Sequence, residues 1–223
     1  KGIAYGPVLY NMTSFSSALM AYENLNTQFV GESLLNYGKP AMVNGANTLL
    51  SESAIPSFVN AQNLQYASGD DVFFSQTLGR DGYAVSYDLK SSVKTDSPES
   101  IVALLNQRLR WASKFPAYTT GFYKFFPAFV FLQNVSFLIL LTNWVALGFG
   151  LNAVFVVLIC KWLIEWSFHA MWFRKYNFQA TLLQSALLSI LQPIHISCVG
   201  ILSLLNFSFH WKGRNVVNKS IVN

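Results

Sequence analysis

Two short clusters in this 223-residue chain carry side chains suited to chemistry: Ser68-Gly69-Asp70-Asp71 and Gln107-Arg108-Leu109-Arg110-Trp111. After the first, a helical pattern runs through Val72, Phe73, Phe74 and Leu78, so the two carboxylates stand at a helix start behind a Ser-Gly turn. A carboxylate held there can take the proton of an attacking hydroxyl; it can equally cap the helix. In the second cluster Gln107, Arg110 and Trp111 stand at i, i+3 and i+4 and share one helix face. That face gathers an amide, a fork of N–H donors that suits a diphosphate, and an indole on which a sugar ring can lie. The same Arg and Trp would also anchor a helix to lipid headgroups. Arg108 and Lys114 are assigned off that face, as headgroup anchors with snorkelling stems.

Several elements must position these groups. Residues 3–10 read as a strand broken at Gly6-Pro7, and Phe15, Ala18, Leu19, Tyr22, Leu25 and Phe29 predict a helix over 14–29. A short strand, Ala41-Met42-Val43, runs into the turn-forming Asn44-Gly45-Ala46-Asn47. Gly79-Arg80-Asp81-Gly82 ends the helix of the carboxylate pair, and residues 83–87 alternate as a strand. Ser97 as cap, Pro98 in the first turn and Glu99 at the positive end of the dipole predict a helix from 98 to about 114. Its stripe of Ile101, Leu104, Leu105 and Leu109 suits a helix resting in a membrane interface.

Beyond it the composition changes. Asp, Glu, Lys and Arg are absent from residues 125–160 and 176–211, each longer than the roughly 20 apolar residues that cross a bilayer core. Spans are expected at 125–147 and 151–169, separated by Gly148-Phe149-Gly150. A third run, 181–207, is interrupted by Gln192-Pro193-Ile194-His195 and is either one kinked span or a re-entrant pair of half-helices. Lys161 and Glu165, four apart, can pair on one face. Lys114, Lys124, Arg174, Lys175, Lys212 and Arg214 share one side of the membrane only if the third run turns back, which the positive-inside rule favours.

Charge and cysteine exclude other classes. Glu165 is the only acidic residue after position 115, so the net charge of +5 belongs to the apolar half and argues for a membrane surface rather than nucleic acid. Cys160 and Cys198 lie in apolar segments as inert buried thiols, and two cysteines with three scattered histidines have no zinc-ligand spacing.

With these residues in view, the chain resembles the membrane-integrated family 2 glycosyltransferases, the group of cellulose, chitin, hyaluronan and poly-N-acetylglucosamine synthases. Asn44-Gly45-Ala46-Asn47 is similar to the family's glycine-alanine-asparagine segment. Ser68-Gly69-Asp70-Asp71 resembles its acidic motif in the Gly-Asp-Asp form, and residues 107–111 fit Gln-x-x-Arg-Trp. Trp211-Lys212-Gly213-Arg214 resembles the basic segment that closes many bacterial members. The resemblance implies that Asp71 is the catalytic base, with Asp70 in the place often held by Glu. It implies that Gln107, Arg110, Trp111, Asn44, Gly45 and Asn47 serve the acceptor and the diphosphate.

The family also holds its metal and diphosphate with an early Asp and an Asp-x-Asp, expected before Gly6, yet no Asp precedes Asp70. The expectation is therefore an α/β fold, the C-terminal half of a GT-A type domain, followed by an α-helical transmembrane domain. Residues 1–96 are the half domain, 97–124 the interface helix and linker, 125–211 the spans, and 212–223 a basic tail. The implied activity is inverting transfer from a nucleotide sugar, UDP-linked, to a glycan or lipid acceptor at the cytoplasmic face of the inner membrane. A divalent Mg or Mn ion serves the complete enzyme, with its ligands in the missing N-terminal half, so that this fragment alone is inactive. A non-catalytic membrane subunit derived from such an enzyme is the alternative; a small transporter fits less well with so few ionisable groups in the apolar runs.

Overall fold

Proline at position 7 cannot donate to a ladder, and it splits the opening segment into β1 (Gly2–Tyr5) and β2 (Val8–Tyr10). The structure is a computed structural model that describes residues 2–39, 43–61, 66, 68–118, 121–148, 150–211 and 213–216. β1 lies between β3 (Thr48–Leu50), antiparallel with Ile3 opposite Leu50, and β4 (Ala84–Tyr87), parallel with Ile3 opposite Val85. Its alternate residues Ile3 and Tyr5 are buried, and with Val43, Ala54, Phe74 and Leu78 they form the core. β2 pairs in parallel with β5 (Val93–Thr95).

Helices α1 (Phe15–Asn36), α2 (Ile55–Ala61) and α3 (Asp70–Asp81) accompany these strands. Ser14 and Ser17 close a reciprocal capping box at the start of α1. The buried Asn24 amide donates to the Val8 carbonyl at 2.8 Å and ties α1 to β2. α1 runs past the predicted end at 29, because Leu35 still packs on the core. Sequence periodicity missed β3, α2 and β5, each too short to display a repeat. Phe58 of α2 meets Phe74 of α3 edge-to-face at 5.1 Å. The α/β expectation thus holds in part: strands of three or four residues sit among much longer helices.

The interface-helix prediction needs correction. α4 spans Ile101–Ala112, and Ser100 is its cap, its Oγ accepting the Ala103 N–H at 3.1 Å. Ser97, Pro98 and Glu99 precede the helix, since the serine whose hydroxyl reaches a free N–H decides the start. At the far end of the chain, β6 (Phe209–Trp211) and β7 (Arg214–Val216) form an antiparallel hairpin. Its His210 N–H donates to Asn106 Oδ1 of α4 at 3.2 Å. The proposed strand residues Ala41 and Met42, and Lys212 of the basic segment, lie outside the described residues.

The chain divides into two compact units, Lys1–Lys124 with Leu202–Asn223, and Phe125–Ile201. The second draws on α5 (Gly121–Ala146), α6 (Gly150–Lys175) and α7 (Leu182–Leu204), three helices long and apolar enough to cross a membrane. Large apolar side chains such as Phe129, Ile139, Phe155 and Ile164 face outward, as helices in lipid do. Of the two alternatives for the third run, one continuous helix forms, carrying the buried Pro193 inside it.

One face of α7 buries Gln184, Ser185, Ser189 and Ser197. Trp162 Nε1 donates to Ser185 Oγ at 3.0 Å. Lys161 Nζ reaches Glu165 at 2.5 Å and donates to the Ser189 carbonyl at 2.8 Å, so the ion pair is also satisfied from α7. Such bonding offsets the cost of charge at membrane depth. A Cβ on Gly200 would run into the Phe131 ring, so glycine allows α7 its close approach to α5. Cys160 and Cys198 are exposed rather than buried, because the apolar surface of these helices faces outward.

Candidate active site

The carboxylate pair is presented as its sequence suggests. Gly69 adopts φ +115°, a left-handed conformation open to glycine, and its carbonyl accepts the Phe73 N–H at 2.9 Å to begin α3. Asp70 is exposed and Asp71 half-buried. Asp71 is fixed from two sides: Oδ1 accepts the Val72 N–H at 2.8 Å, and Oδ2 accepts the Gly45 N–H at 3.1 Å.

That second bond joins two segments that sequence could only set in order. Asn44 Oδ1 accepts the Ala46 N–H at 3.1 Å and shapes the turn. A Cβ on Gly45 would stand 3.2 Å from the Asp71 Cβ, so glycine lets the backbone come this close. Asn47 does something else. Its amide donates to the Pro7 carbonyl at 3.1 Å and to the Ser91 carbonyl at 2.6 Å, bracing the β1–β2 turn.

Helix α4 supplies the opposite wall. Gln107 Oε1 accepts the Tyr10 hydroxyl at 3.2 Å, and Arg110 Nη1 donates to Ser68 Oγ at 3.3 Å. Asp70, Asp71, Asn44, Gln107, Arg110 and Trp111 line one cavity of about 710 Å³, together with Gly45; Asn47 is outside its lining. The volume lies within the roughly 300–1,000 Å³ usual for small-molecule sites.

Two residues read as headgroup anchors are nothing of the kind. Arg108 is buried, ion-paired with Glu23 of α1, and its guanidinium lies over the Trp111 ring at 4.1 Å. Lys114 is 2% exposed and lines the cavity. Its Nζ donates to the Arg110 carbonyl at 3.1 Å. The signal for Lys114 was present: positions 107, 110, 111 and 114 follow i, i+3, i+4, i+7, so it completes the face rather than leaving it. Arg108 had no such signal, because the packing of α1 on its side of α4 is invisible to periodicity.

Burial governs the electrostatics here. It lowers Arg110 below the usual guanidinium range, with Asp71 opposing. Burial, then Arg110, brings Lys114 down to about 8, against the pull of Asp71 and Asp70. Tyr118 is pushed up to about 12 by burial and by Asp71. Among the described residues no three His, Cys, Asp or Glu side chains gather as a metal site.

The cavity therefore combines a tethered carboxylate, a second carboxylate beside it, a buried lysine, a half-buried arginine and an indole. The family model described as glycosyl transferase family group 2 matches residues 1–207, which takes in both clusters and all three apolar helices. No curated protein matches the chain.

Proposed function

This chain belongs to glycosyl transferase family group 2, and from that premise we propose an inverting transfer in which Asp71 is the base. The observation that carries the proposal is the Asp71 carboxylate, tethered to the Gly45 N–H in the same cavity as Arg110 and Trp111. Asp71 takes the proton of an acceptor hydroxyl while that oxygen attacks the anomeric carbon of the donor sugar. The bond from that carbon to the donor's diphosphate breaks, and Arg110 receives the departing negative charge. Trp111 lies under the acceptor sugar, and Gln107, bonded to Tyr10, orients this wall.

The donor is a UDP-linked sugar and the acceptor a glycan or lipid, by similarity to the membrane-integrated synthases. A divalent ion on the diphosphate belongs to the same reading; no step here is routed through it. The test is turnover of Asp71→Asn in the full-length protein. A loss of at least about 100-fold is expected, with UDP binding retained and a smaller loss for Asp70→Asn. The reverse ranking would exchange the two assignments.

We read the chemistry as taking place at the cytoplasmic face of the membrane, which the resemblance to the membrane-integrated synthases supports. Within the first unit the β6–β7 hairpin bonds to α4 through His210 and Asn106, so the hairpin and α4 share one side of the bilayer. An odd number of complete crossings between them would separate the two. We therefore read α5 and α6 as the crossings.

A further inference from the structure

A buried ammonium in a cavity calls for an anion. Lys114 is 2% exposed, and its stem lies so close over Gly69 that a Cβ there would strike its Cδ and Cε. This contact leads the side chain from the end of α4 to the turn that presents Asp70 and Asp71. Among the described residues its ammonium has one hydrogen-bond acceptor, the Arg110 carbonyl at 3.1 Å, although an ammonium carries three donors. Lys114 lines the cavity together with Arg110, Asp70 and Asp71.

We propose that Lys114 is a second anion-binding cation of this site, which together with Arg110 takes the diphosphate oxygens of the leaving nucleotide. The assignment rests on the donor reading above and deepens it. Arg110 offers a planar fork and Lys114 a point charge. Two cations on one diphosphate account for a lysine on the cavity wall just past the end of α4. The contact with Gly69 gives the lysine a further consequence: its stem rests on the residue that starts α3, so the anion site and the base share one support.

The free-state acidity of Lys114 makes the idea measurable. The groups facing it are Arg110 on its own segment, Asp70 and Asp71 from the start of α3, and Tyr118 from the turn that follows, with Tyr10 across the cavity beside Arg110. Tyr118, pushed up to about 12, stays neutral through the range tested. Lys114 ionises at about 8 when the site is free, and a bound anion holds its proton more tightly. The sign follows: affinity for an anion is complete below pH 8 and declines above it, by up to about tenfold per pH unit until the bound form also loses its proton.

The test measures binding of UDP, inorganic pyrophosphate and uridine to the full-length protein in detergent from about pH 6.5 to about 9, across the Lys114 ionisation and below that of the uracil N3–H. In the wild type, UDP and pyrophosphate should weaken above pH 8 while uridine stays level. Lys114→Met keeps the length of the stem against Gly69 and removes the charge. It should weaken UDP at pH 7 by about 10- to 100-fold, the loss of charged hydrogen bonds, and abolish the decline above pH 8. Should Lys114→Met fail to fold, the wild-type profile alone decides. A flat wild-type profile, or a Lys114→Met protein that binds UDP as the wild type does, overturns the assignment and leaves the donor reading standing. Failure of the wild type to bind either UDP or pyrophosphate at any pH overturns the donor reading, and this inference with it.

Discussion

Asp71 and Gly45, 26 residues apart in sequence, are joined by a hydrogen bond of 3.1 Å from the Gly45 N–H to Asp71 Oδ2. A Cβ on Gly45 would stand 3.2 Å from the Asp71 Cβ and 3.3 Å from Oδ2, tight enough that the carboxylate must give way. Gly45→Ala should therefore lower kcat by about tenfold, since small displacements of a reacting group are costly, with the melting temperature nearly unchanged. Full activity in that variant would show that the tether is not needed for the base.

Arg110→Lys keeps the charge and removes the planar fork. If Arg110 receives the diphosphate, kcat/KM should fall by about 100-fold, two bidentate bonds being exchanged for a point contact. Membrane association and thermal stability should be retained. Near-normal turnover would remove Arg110 from the site and return it to a packing role beside Ser68.

Arg108 and Glu23 form a pair with side chains 7% and 15% exposed, and breaking one partner leaves the other charge poorly solvated. Glu23→Leu alone should destabilise the protein by about 3 kcal/mol, while Glu23→Leu with Arg108→Met should cost clearly less. Denaturant midpoints of the two variants read this directly. Equal losses would mean that the packing of Arg108 on Trp111, not the ion pair, holds α1 to α4.

Two serines compete for the start of α4, and the structure chooses Ser100. Ser100→Ala should cost about 1 kcal/mol of stability, and Ser97→Ala close to nothing. An opposite order in thermal melts would restore the earlier start.

Single cysteines at Val102, Leu147 and Arg214, on a background with Cys160 and Cys198 replaced by serine, test the membrane topology. Val102 is exposed on α4, Arg214 is exposed on the hairpin, and Leu147 follows α5. A membrane-impermeant thiol reagent should label positions 102 and 214 from one side and 147 from the other. Labelling of 214 together with 147 would mean three complete crossings.

The sequence alone determined a good deal here. Long charge-free runs specify apolar helices, because no other regular element hides its backbone within itself in lipid. The carboxylate pair after Ser-Gly and the Gln107, Arg110, Trp111 face are local patterns, and local patterns survive folding. Position 114 belonged to the same pattern and was misassigned; the periodicity itself was sound. What periodicity could not carry was anything that depends on a distant partner. The Gly45–Asp71 tether, the Glu23–Arg108 pair and the Asn47 bracket across Pro7 and Ser91 all join segments separated by many residues. β3, α2 and β5 form for the same reason, each too short to stand without the neighbours it pairs with or packs against. Only the tertiary structure decided that Lys114 is a buried cation beside two carboxylates, because burial is set by what packs around a residue and not by its own type.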